Sequence, residues 1–251
     1  NGGRSGTNMN ELSERIILGM LTPSSNTVLE PTTTAMLAGL DEVTAHFSRF
    51  KVTEISLSDK GLAQFDHDQF LGAADLLADA KCHAIAWNGT SAGWLGFDND
   101  EALCGRITQS TGAPATTSIL ANNDLFRRHG IGKFGLVTPY TDDVQARILD
   151  NYQAAGFDCV AERHLGISDN YSFSEVNQDQ VEAMCREVAA EGAEAISIIC
   201  TNMRGAALAE RLEAELGVTV YDSISVVVLR ALELAGVDAA RLKGWGRIFA
   251  I

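Results

Sequence analysis

The chain alternates short apolar runs with longer segments in which apolar residues recur every three or four positions. Two of the longer segments are 67–82, HDQFLGAADLLADAKC, and 179–194, DQVEAMCREVAAEGAE. This spacing is typical of a helix with one apolar face, whereas short uninterrupted apolar runs are typical of buried strands. Strands that alternate with helices predict an α/β fold with mainly parallel sheets.

Three pairs of segments recur in the same order in the two halves of the chain. They are LGMLTPSSNTV (18–28) with FGLVTPYTDDV (134–144), AIAWNGTS (84–91) with AISIICTN (195–202), and GAPATTSI (112–119) with GVTVYDSI (217–224). One match could arise by chance, but three matches in order indicate a duplicated architecture. We therefore predict two similar lobes that face each other.

Each repeated segment is a predicted strand that runs into a polar turn. Ligands bind at the carboxyl ends of parallel strands, so the turns of both lobes should line one cleft. In the second pair, Gly89 aligns with Cys200. We expect the Cys200 thiol to project into this cleft, with only a glycine at the equivalent position of the other lobe.

Composition excludes several classes of function. The 251 residues carry a formal net charge of −14, and their Lys and Arg residues do not cluster, which argues against a nucleic-acid partner. No apolar run approaches the roughly 18 residues that cross a bilayer, so no membrane segment is predicted. Five cysteines without CxxC spacing and five scattered histidines argue against a disulfide framework and a metal site. A reducing cytoplasm is the expected location.

Cys200 is the main candidate for chemistry. A free thiol titrates near about 8.5, and amides at a turn or helix N-terminus can lower this pKa. Such a thiol can exchange a proton with a carbon next to a carboxylate. A buried cysteine can also be a small core residue, and an acyl-transfer role stays open, although no His or Asp stands near Cys200 in the sequence.

A carbanion next to a carboxylate is an enediolate, and its charge requires preorganised hydrogen-bond donors. Suitable polar side chains follow the repeated strands in both halves of the chain. They are Ser24, Ser25, Asn26, Thr90, Ser91, Tyr140, Thr201 and Asn202. Most of these residue types are also common helix caps, and capping is compatible with anion binding.

The order and spacing of the motifs resemble the aspartate/glutamate racemase superfamily, in its maleate cis-trans isomerase and arylmalonate decarboxylase branch. The motifs are LTPSSNTVLEP, WNGTSAGW, VTPYTDDV, GISDNYSF, IICTN and GWGRIF. This resemblance implies two Rossmann-like lobes related by a pseudo-twofold axis, with the active site in the cleft between them. It also implies that no metal or organic cofactor is used, that one or two cysteines are catalytic, and that the partner is a small carboxylic acid. A homo-oligomer is compatible with it.

The resemblance implies roles for individual residues. Cys200 resembles the catalytic cysteine of the second lobe. Asn26 resembles the asparagine that holds a substrate carboxylate in maleate isomerases, with Tyr140 in the same anion cradle and Asn170 as a further polar contact. Thr90 and Ser91, which follow Gly89, resemble the Gly-Thr-Ser stretch that forms a dioxyanion hole in arylmalonate decarboxylases.

The matches also divide the chain. Residues 1–14 are predicted to be a flexible leader or a remnant of cloning, because they lack a signal pattern. Residues 15–120 would form the N-terminal lobe and 121–230 the C-terminal lobe. In the family the C-terminal segment returns to the first lobe, and we expect the same of residues 231–251.

The sequence departs from the family at Gly89, where racemases and maleate isomerases place their first cysteine. Cys82 would lie at the wrong end of the strand to replace it, and Cys104 is expected in the core on the following helix. A two-base mechanism needs both thiols, whereas a decarboxylase needs one proton donor. A Gly89→Cys exchange is expected to restore the base on the second face.

We therefore expect a cofactor-independent enzyme that decarboxylates a small malonate-type diacid through an enediolate-like intermediate, with Cys200 as the proton donor. The polar turns favour a small polar substrate over an aryl one. One alternative is a cis-trans isomerase or racemase of a small carboxylic acid. Another is a two-lobed small-molecule binding protein without catalysis.

Overall fold

The computed structural model describes residues 15–251, so the predicted leader at 1–14 lies outside the described residues. The first four strands are Ile16–Pro23 (β1), Val43–Phe50 (β2), Ala84–Trp87 (β3) and Ala115–Thr117 (β4). The other four are Lys133–Val137 (β5), Asp158–Arg163 (β6), Ala195–Ile198 (β7) and Thr219–Asp222 (β8).

These strands form two parallel sheets with the same topology. The strand order is β2-β1-β3-β4 in the first sheet and β6-β5-β7-β8 in the second. The three repeated segment pairs contain β1 and β5, β3 and β7, and β4 and β8, so each pair occupies the same place in its sheet. The predicted two-lobed α/β fold is confirmed.

Helices flank both sheets. They are Leu29–Leu37 (α1), Asp59–Ala63 (α2), His67–Asp79 (α3), Ala92–Leu95 (α4), Phe97–Thr111 (α5), Ser118–Arg128 (α6), Asp142–Ala154 (α7), Gln178–Ala190 (α8), Ala209–Leu216 (α9) and Ser223–Leu234 (α10). The periodic segments at 67–82 and 179–194 correspond to α3 and α8. The side chains of Asp66 and Asn177 accept backbone N–H groups at the starts of these two helices, as N-caps do.

The central strands β3 and β7 are buried along their whole length. Helices cover both faces of such parallel sheets, which explains why the two strands read as continuous apolar runs, AIAW and AISI. The predicted duplication therefore rests on the most buried segments of each lobe.

Two helices are exchanged between the lobes. Helix α6 follows the first sheet but packs on the second, where the Phe126 ring lies 4.8 Å from that of Tyr221 and 5.3 Å from that of Phe134. Helix α10 follows the second sheet and contacts β3 and β4 of the first. The two helices also pack against each other, and this exchange holds the strand ends of both lobes at one cleft.

The return to the first lobe therefore begins earlier than residue 231, because α10 starts at Ser223. Beyond α10, the short turn Arg247–Phe249 contacts β8 of the second sheet, while Arg241 forms an ion pair with Glu42 of the first lobe. The C-terminal segment thus contacts both lobes. Within residues 15–251, no helix has the length and apolar character needed to cross a membrane.

Candidate active site

A cavity lies between the lobes, at the carboxyl ends of the strands. Seven of the residues predicted from the sequence line it: Gly89, Thr90, Ser91, Tyr140, Asn170, Cys200 and Thr201. The first three follow β3, and the last two follow β7, which are the repeated strands at the centre of each sheet. The structure therefore brings the two turns into one cavity, as the duplication predicted.

The Cys200 thiol is only 2% exposed and lies on the wall contributed by the second lobe. The Asn202 N–H donates to its Sγ over 3.4 Å. Burial raises the pKa of Cys200 to about 12, although the Asn202 amide and the Tyr140 hydroxyl lower it and the Asp222 carboxyl raises it further. Amides can lower the pKa of a thiol, but at Cys200 burial outweighs them. At neutral pH the thiol is protonated and can give a proton.

We predict that iodoacetamide modifies Cys200 slowly at pH 7.5, because alkylation needs an exposed thiolate. The rate should rise steeply with pH up to the limit of native stability. Peptide mapping by mass spectrometry measures each site separately, and all five cysteines should react rapidly in denaturant. Rapid labelling of Cys200 in the native protein at pH 7.5 would contradict the protonated, buried thiol.

Two hydroxyl groups connect the lobes next to the thiol. The Thr90 Oγ1 and the Tyr140 hydroxyl oxygen are 2.6 Å apart, and both residues are buried. Burial raises the pKa of Tyr140 well above its ordinary value, and the Cys200 sulfur raises it further. Both hydroxyls therefore stay protonated. Their mutual hydrogen bond uses one of the two hydrogens, which leaves the other to donate to an oxyanion beside Cys200.

Four predicted residues do not line the cavity but support those that do. The Ser24 and Ser25 hydroxyls both donate to the carbonyl of Val52, and Ser25 also accepts from the Asn170 side chain over 2.7 Å. These bonds tie the turn after β1 to the loop after β2 and, through Asn170, to the loop after β6. A direct contact of Ser24 or Ser25 with substrate stays a prediction.

Asn26 and Asn202 are also held by the protein. Asn26 Oδ1 accepts the first N–H groups of the α1 region, and its Nδ2 donates to Thr201 Oγ1 over 3.1 Å. Asn202 Oδ1 accepts the N–H of Thr27, and its Nδ2 donates to the carbonyl of Asn170. Both asparagines therefore join the lobes in this structure, and their contact with substrate stays a prediction.

Six apolar residues that the motifs did not predict complete the lining: Pro23, Val52, Ile55, Phe65, Trp87 and Trp94. Val52, Ile55 and Phe65 lie on the segment between β2 and α3, which has no repeat match and therefore gave no signal. Trp87 did give a signal, because residues two apart in a strand point to the same face and Trp87 is two residues before Gly89.

The indole of Trp87 lies against Gly89. A β-carbon added at Gly89 would be 2.0 Å from Cζ2 of this ring, a distance at which the ring must move. A cysteine at position 89 therefore needs a shift of this ring, and the expectation that it restores a second base stays a prediction. The space beside Gly89 on the first-lobe wall of the cavity is filled by the Trp87 ring.

Two loops cover the cavity. The Ile55 N–H donates to the carbonyl of Ser168 over 2.8 Å, and the Asn170 N–H donates to the carbonyl of Thr53 over 3.0 Å. The space open to the centre of a water molecule is about 20 Å³, which is near the size needed for one water. Binding of a diacid therefore requires this cover or the lining side chains to move.

The other cysteines lie away from this cavity. Cys82 precedes β3, at the end remote from Gly89, as predicted, and its thiol donates to the carbonyl of Leu77. Cys104 lies on α5 as predicted, but it is half-buried and not a full core residue. Within residues 15–251, no three His, Cys, Asp or Glu side chains are grouped closely enough to hold a metal ion.

The twin parallel sheets, with a thiol in the cavity between them, define a two-lobed α/β protein. The arylmalonate decarboxylase family model matches residues 18–249, and the chain belongs to this family of enzymes. The resemblance noted from the motifs is confirmed.

Curated relatives carry two kinds of name. A maleate isomerase of Geobacillus stearothermophilus is 24% identical over 235 residues, which are 88% of this chain and 92% of the relative. An arylmalonate decarboxylase of Bordetella bronchiseptica is 28% identical over 168 residues, which are 66% of this chain and 70% of the relative. The chain is therefore similar in sequence both to maleate isomerases and to an arylmalonate decarboxylase.

Solved structures give the same division. One solved structure is the Nocardia farcinica maleate cis-trans isomerase, a cysteine-to-serine mutant with a covalently bound succinylcysteine intermediate. It superposes with a TM-score of 0.86 at 23% identity, and the match covers 93% of this chain and 98% of that chain. A liganded arylmalonate decarboxylase with glycine-to-cysteine and cysteine-to-serine exchanges gives a TM-score of 0.82 at 22% identity, covering 94% and 98%. These likenesses show the fold.

Proposed function

We propose that the protein decarboxylates a small malonate-type diacid and that Cys200 protonates the resulting enediolate-like intermediate. The observation that carries this proposal is the single thiol of the cavity. All five cysteines lie within residues 15–251, and of them only Cys200 lines the cavity. At the position where the resemblance places the first cysteine of racemases and maleate isomerases, this chain has Gly89 against the Trp87 ring.

The proposed reaction needs one proton donor. The bond between the α-carbon and one carboxylate breaks, and carbon dioxide leaves. The electron pair of this bond stays on the α-carbon and is delocalised into the remaining carboxylate, which gives the enediolate. The Cys200 S–H then gives its proton to the α-carbon, and the thiolate takes a proton from water. The raised pKa of Cys200 favours this role, since the thiol is protonated before the reaction and its thiolate is readily reprotonated.

The hydroxyls of Thr90, Ser91 and Tyr140 are suited to the developing oxyanion. Thr90 and Tyr140 are buried and held 2.6 Å apart, so they are preorganised and need no solvent reorganisation during the reaction. Ser91 lines the same wall, and its Oγ accepts from the Trp87 indole N–H, which leaves its own hydrogen free to donate. These donors would bind the carboxylate that remains.

The apolar lining supports loss of the other carboxylate. Val52, Ile55 and Phe65 form an apolar part of the cavity, and a desolvated carboxylate there is destabilised relative to neutral carbon dioxide. The sequence suggested a more polar site through Asn26 and Asn170, and of these two only Asn170 lines the cavity. Because Asn26 does not line the cavity, the balance moves towards decarboxylation.

The second candidate is cis-trans isomerisation of a small unsaturated diacid. It is favoured by the high structural similarity to maleate isomerases and by the polar Asn170 side of the cavity. In this reaction a thiolate would add to the double bond, so a buried thiol with a raised pKa is poorly suited to it.

Proton NMR in deuterated water separates the two reactions. We expect malonate or methylmalonate to lose carbon dioxide and to gain one deuteron at the α-carbon, with maleate unchanged. Conversion of maleate to fumarate without carbon loss would replace the proposal with the second candidate. Binding of these acids without any conversion, measured by thermal shift, would instead indicate the non-catalytic alternative.

A further inference from the structure

The first-lobe wall of the cavity is closed by Trp87. Its side chain is 1% exposed, and its ring centroid lies 4.8 Å from that of Phe70 and 5.1 Å from that of Phe50. The indole N–H donates to the Ser91 hydroxyl oxygen over 3.3 Å. Aromatic contacts and this hydrogen bond therefore fix the ring at the cavity wall.

The fixed ring determines which residue can stand at position 89. A β-carbon on Gly89 would be 2.0, 2.4 and 2.6 Å from Cζ2, Cε2 and Cη2 of Trp87. Every one of these distances is below van der Waals contact, and the ring cannot move away without disturbing Phe50 and Phe70. Any residue larger than glycine at position 89 therefore conflicts with Trp87.

The second lobe has the reverse arrangement at the equivalent positions. The repeat aligns Trp87 with Ile198, the last residue of β7, and Gly89 with Cys200. One lobe thus has a large side chain followed by a glycine, and the other has a smaller side chain followed by a thiol. In the first lobe, the residue that ends the strand therefore sets the space available two residues later.

We propose that Trp87 is a specificity-determining residue of this site. The indole occupies the space that a side chain at position 89 would need, so the first-lobe wall carries no acid or base. The same ring limits the cavity to acids with a small side group. The statement about substrates rests on the proposed function, whereas the exclusion of a side chain at position 89 does not.

The exclusion is tested by a stability cycle that needs no substrate. Gly89→Ala should lower Tm by about 5 °C or more, as overpacking of a buried site does. In a Trp87→Leu background the same exchange should lower Tm by less than half as much. Gly93→Ala is the matched control, because Gly93 is buried nearby but its nearest contact to an added β-carbon is an ordinary 3.4 Å. Equal effects of Gly89→Ala in both backgrounds would overturn the exclusion.

The selectivity is tested with methylmalonate and phenylmalonate. Trp87→Leu should raise the ratio of kcat/KM for phenylmalonate over methylmalonate by about tenfold or more, since it enlarges the cavity wall. Phe70→Leu is the control, because it truncates a buried aromatic of the same cluster that does not line the cavity. An unchanged ratio in Trp87→Leu, or an equal change in Phe70→Leu, would overturn the selectivity role.

Failure of the proposed function gives a different result. A wild-type protein that converts neither acid would contradict the decarboxylase proposal, and the stability cycle would still decide whether Trp87 excludes a side chain at position 89. Should Trp87→Leu not fold, Trp87→Phe provides the same comparisons with a smaller ring.

Discussion

Replacement of Cys200 by serine is expected to lower kcat/KM for the converted diacid on the order of 10²–10⁴-fold, the usual contribution of a positioned proton donor. Serine is similar in size to cysteine, so the buried wall keeps its shape. Its hydroxyl is a far weaker acid than a thiol, so it cannot protonate the α-carbon at a comparable rate. Steady-state kinetics, with deuteron incorporation followed by NMR, measure the loss.

The matched control for this exchange is Cys104→Ser. Cys104 is a half-buried thiol on α5 that does not line the cavity, so its exchange should change kcat/KM by less than about twofold. The Tm of Cys200→Ser should stay close to that of the wild type. A Cys200→Ser enzyme with nearly full activity, or an equal loss in both variants, would remove Cys200 from the reaction.

The duplication explains why so much of the site could be predicted from the sequence. Parallel strands that repeat in order must end at equivalent places, so Gly89 and Cys200 could be assigned to one cleft before any coordinates were known. Both residues line the observed cavity. The strands that carry them are buried on both faces, and such segments give the clearest apolar pattern.

The features of the site that could not be predicted from the sequence depend on contacts between distant parts of the chain. Val52 and Ile55 belong to a loop without a repeat match, and only the folded chain brings this loop over the cavity. The raised pKa of Cys200 has the same origin, because its burial arises from both lobes together. The packing of Trp87 on Gly89 could have been inferred from their spacing, but the direction of the indole could not.

Stability should fall as the pH rises from about 5 to 8, because two carboxyl groups are buried without charge partners. Burial raises the pKa of both Asp100 and Asp222 to about 7. Within residues 15–251, neither oxygen of Asp100 has a hydrogen-bond partner, although Thr117 and Asn99 lie close enough to lower its pKa somewhat. Asp222 caps α10 with one oxygen, and its other oxygen has no partner among these residues.

The direction follows from proton linkage. An Asp in the unfolded chain titrates near about 4, so the folded protein binds protons more tightly at both sites. The resulting stabilisation is complete below about pH 4 and is lost as the pH rises through 7. His164 acts in the same direction because Asp142 and Glu162 raise its pKa, whereas burial lowers the pKa of His129, which acts in the opposite direction.

The exchange Asp100→Asn isolates one of these groups. A neutral amide of the same shape removes the cost of ionising a buried carboxyl, so the variant should be more stable than the wild type at pH 8, by on the order of 2–4 kcal/mol. At pH 5 the difference should be smaller, about 1 kcal/mol, because Asp100 is still protonated in the folded protein and only its ionisation in the unfolded chain favours unfolding. Urea unfolding at both pH values measures the difference.

Asp98→Asn is the control for this exchange, because Asp98 lies in the same first turn of α5 but is exposed. It should shift stability by less than about 0.5 kcal/mol at either pH. If the wild type and Asp100→Asn lose stability equally between pH 5 and 8, Asp100 is ionised in the folded protein at little cost. Polar groups near α5 must then solvate its charge, and burial alone would not set its pKa.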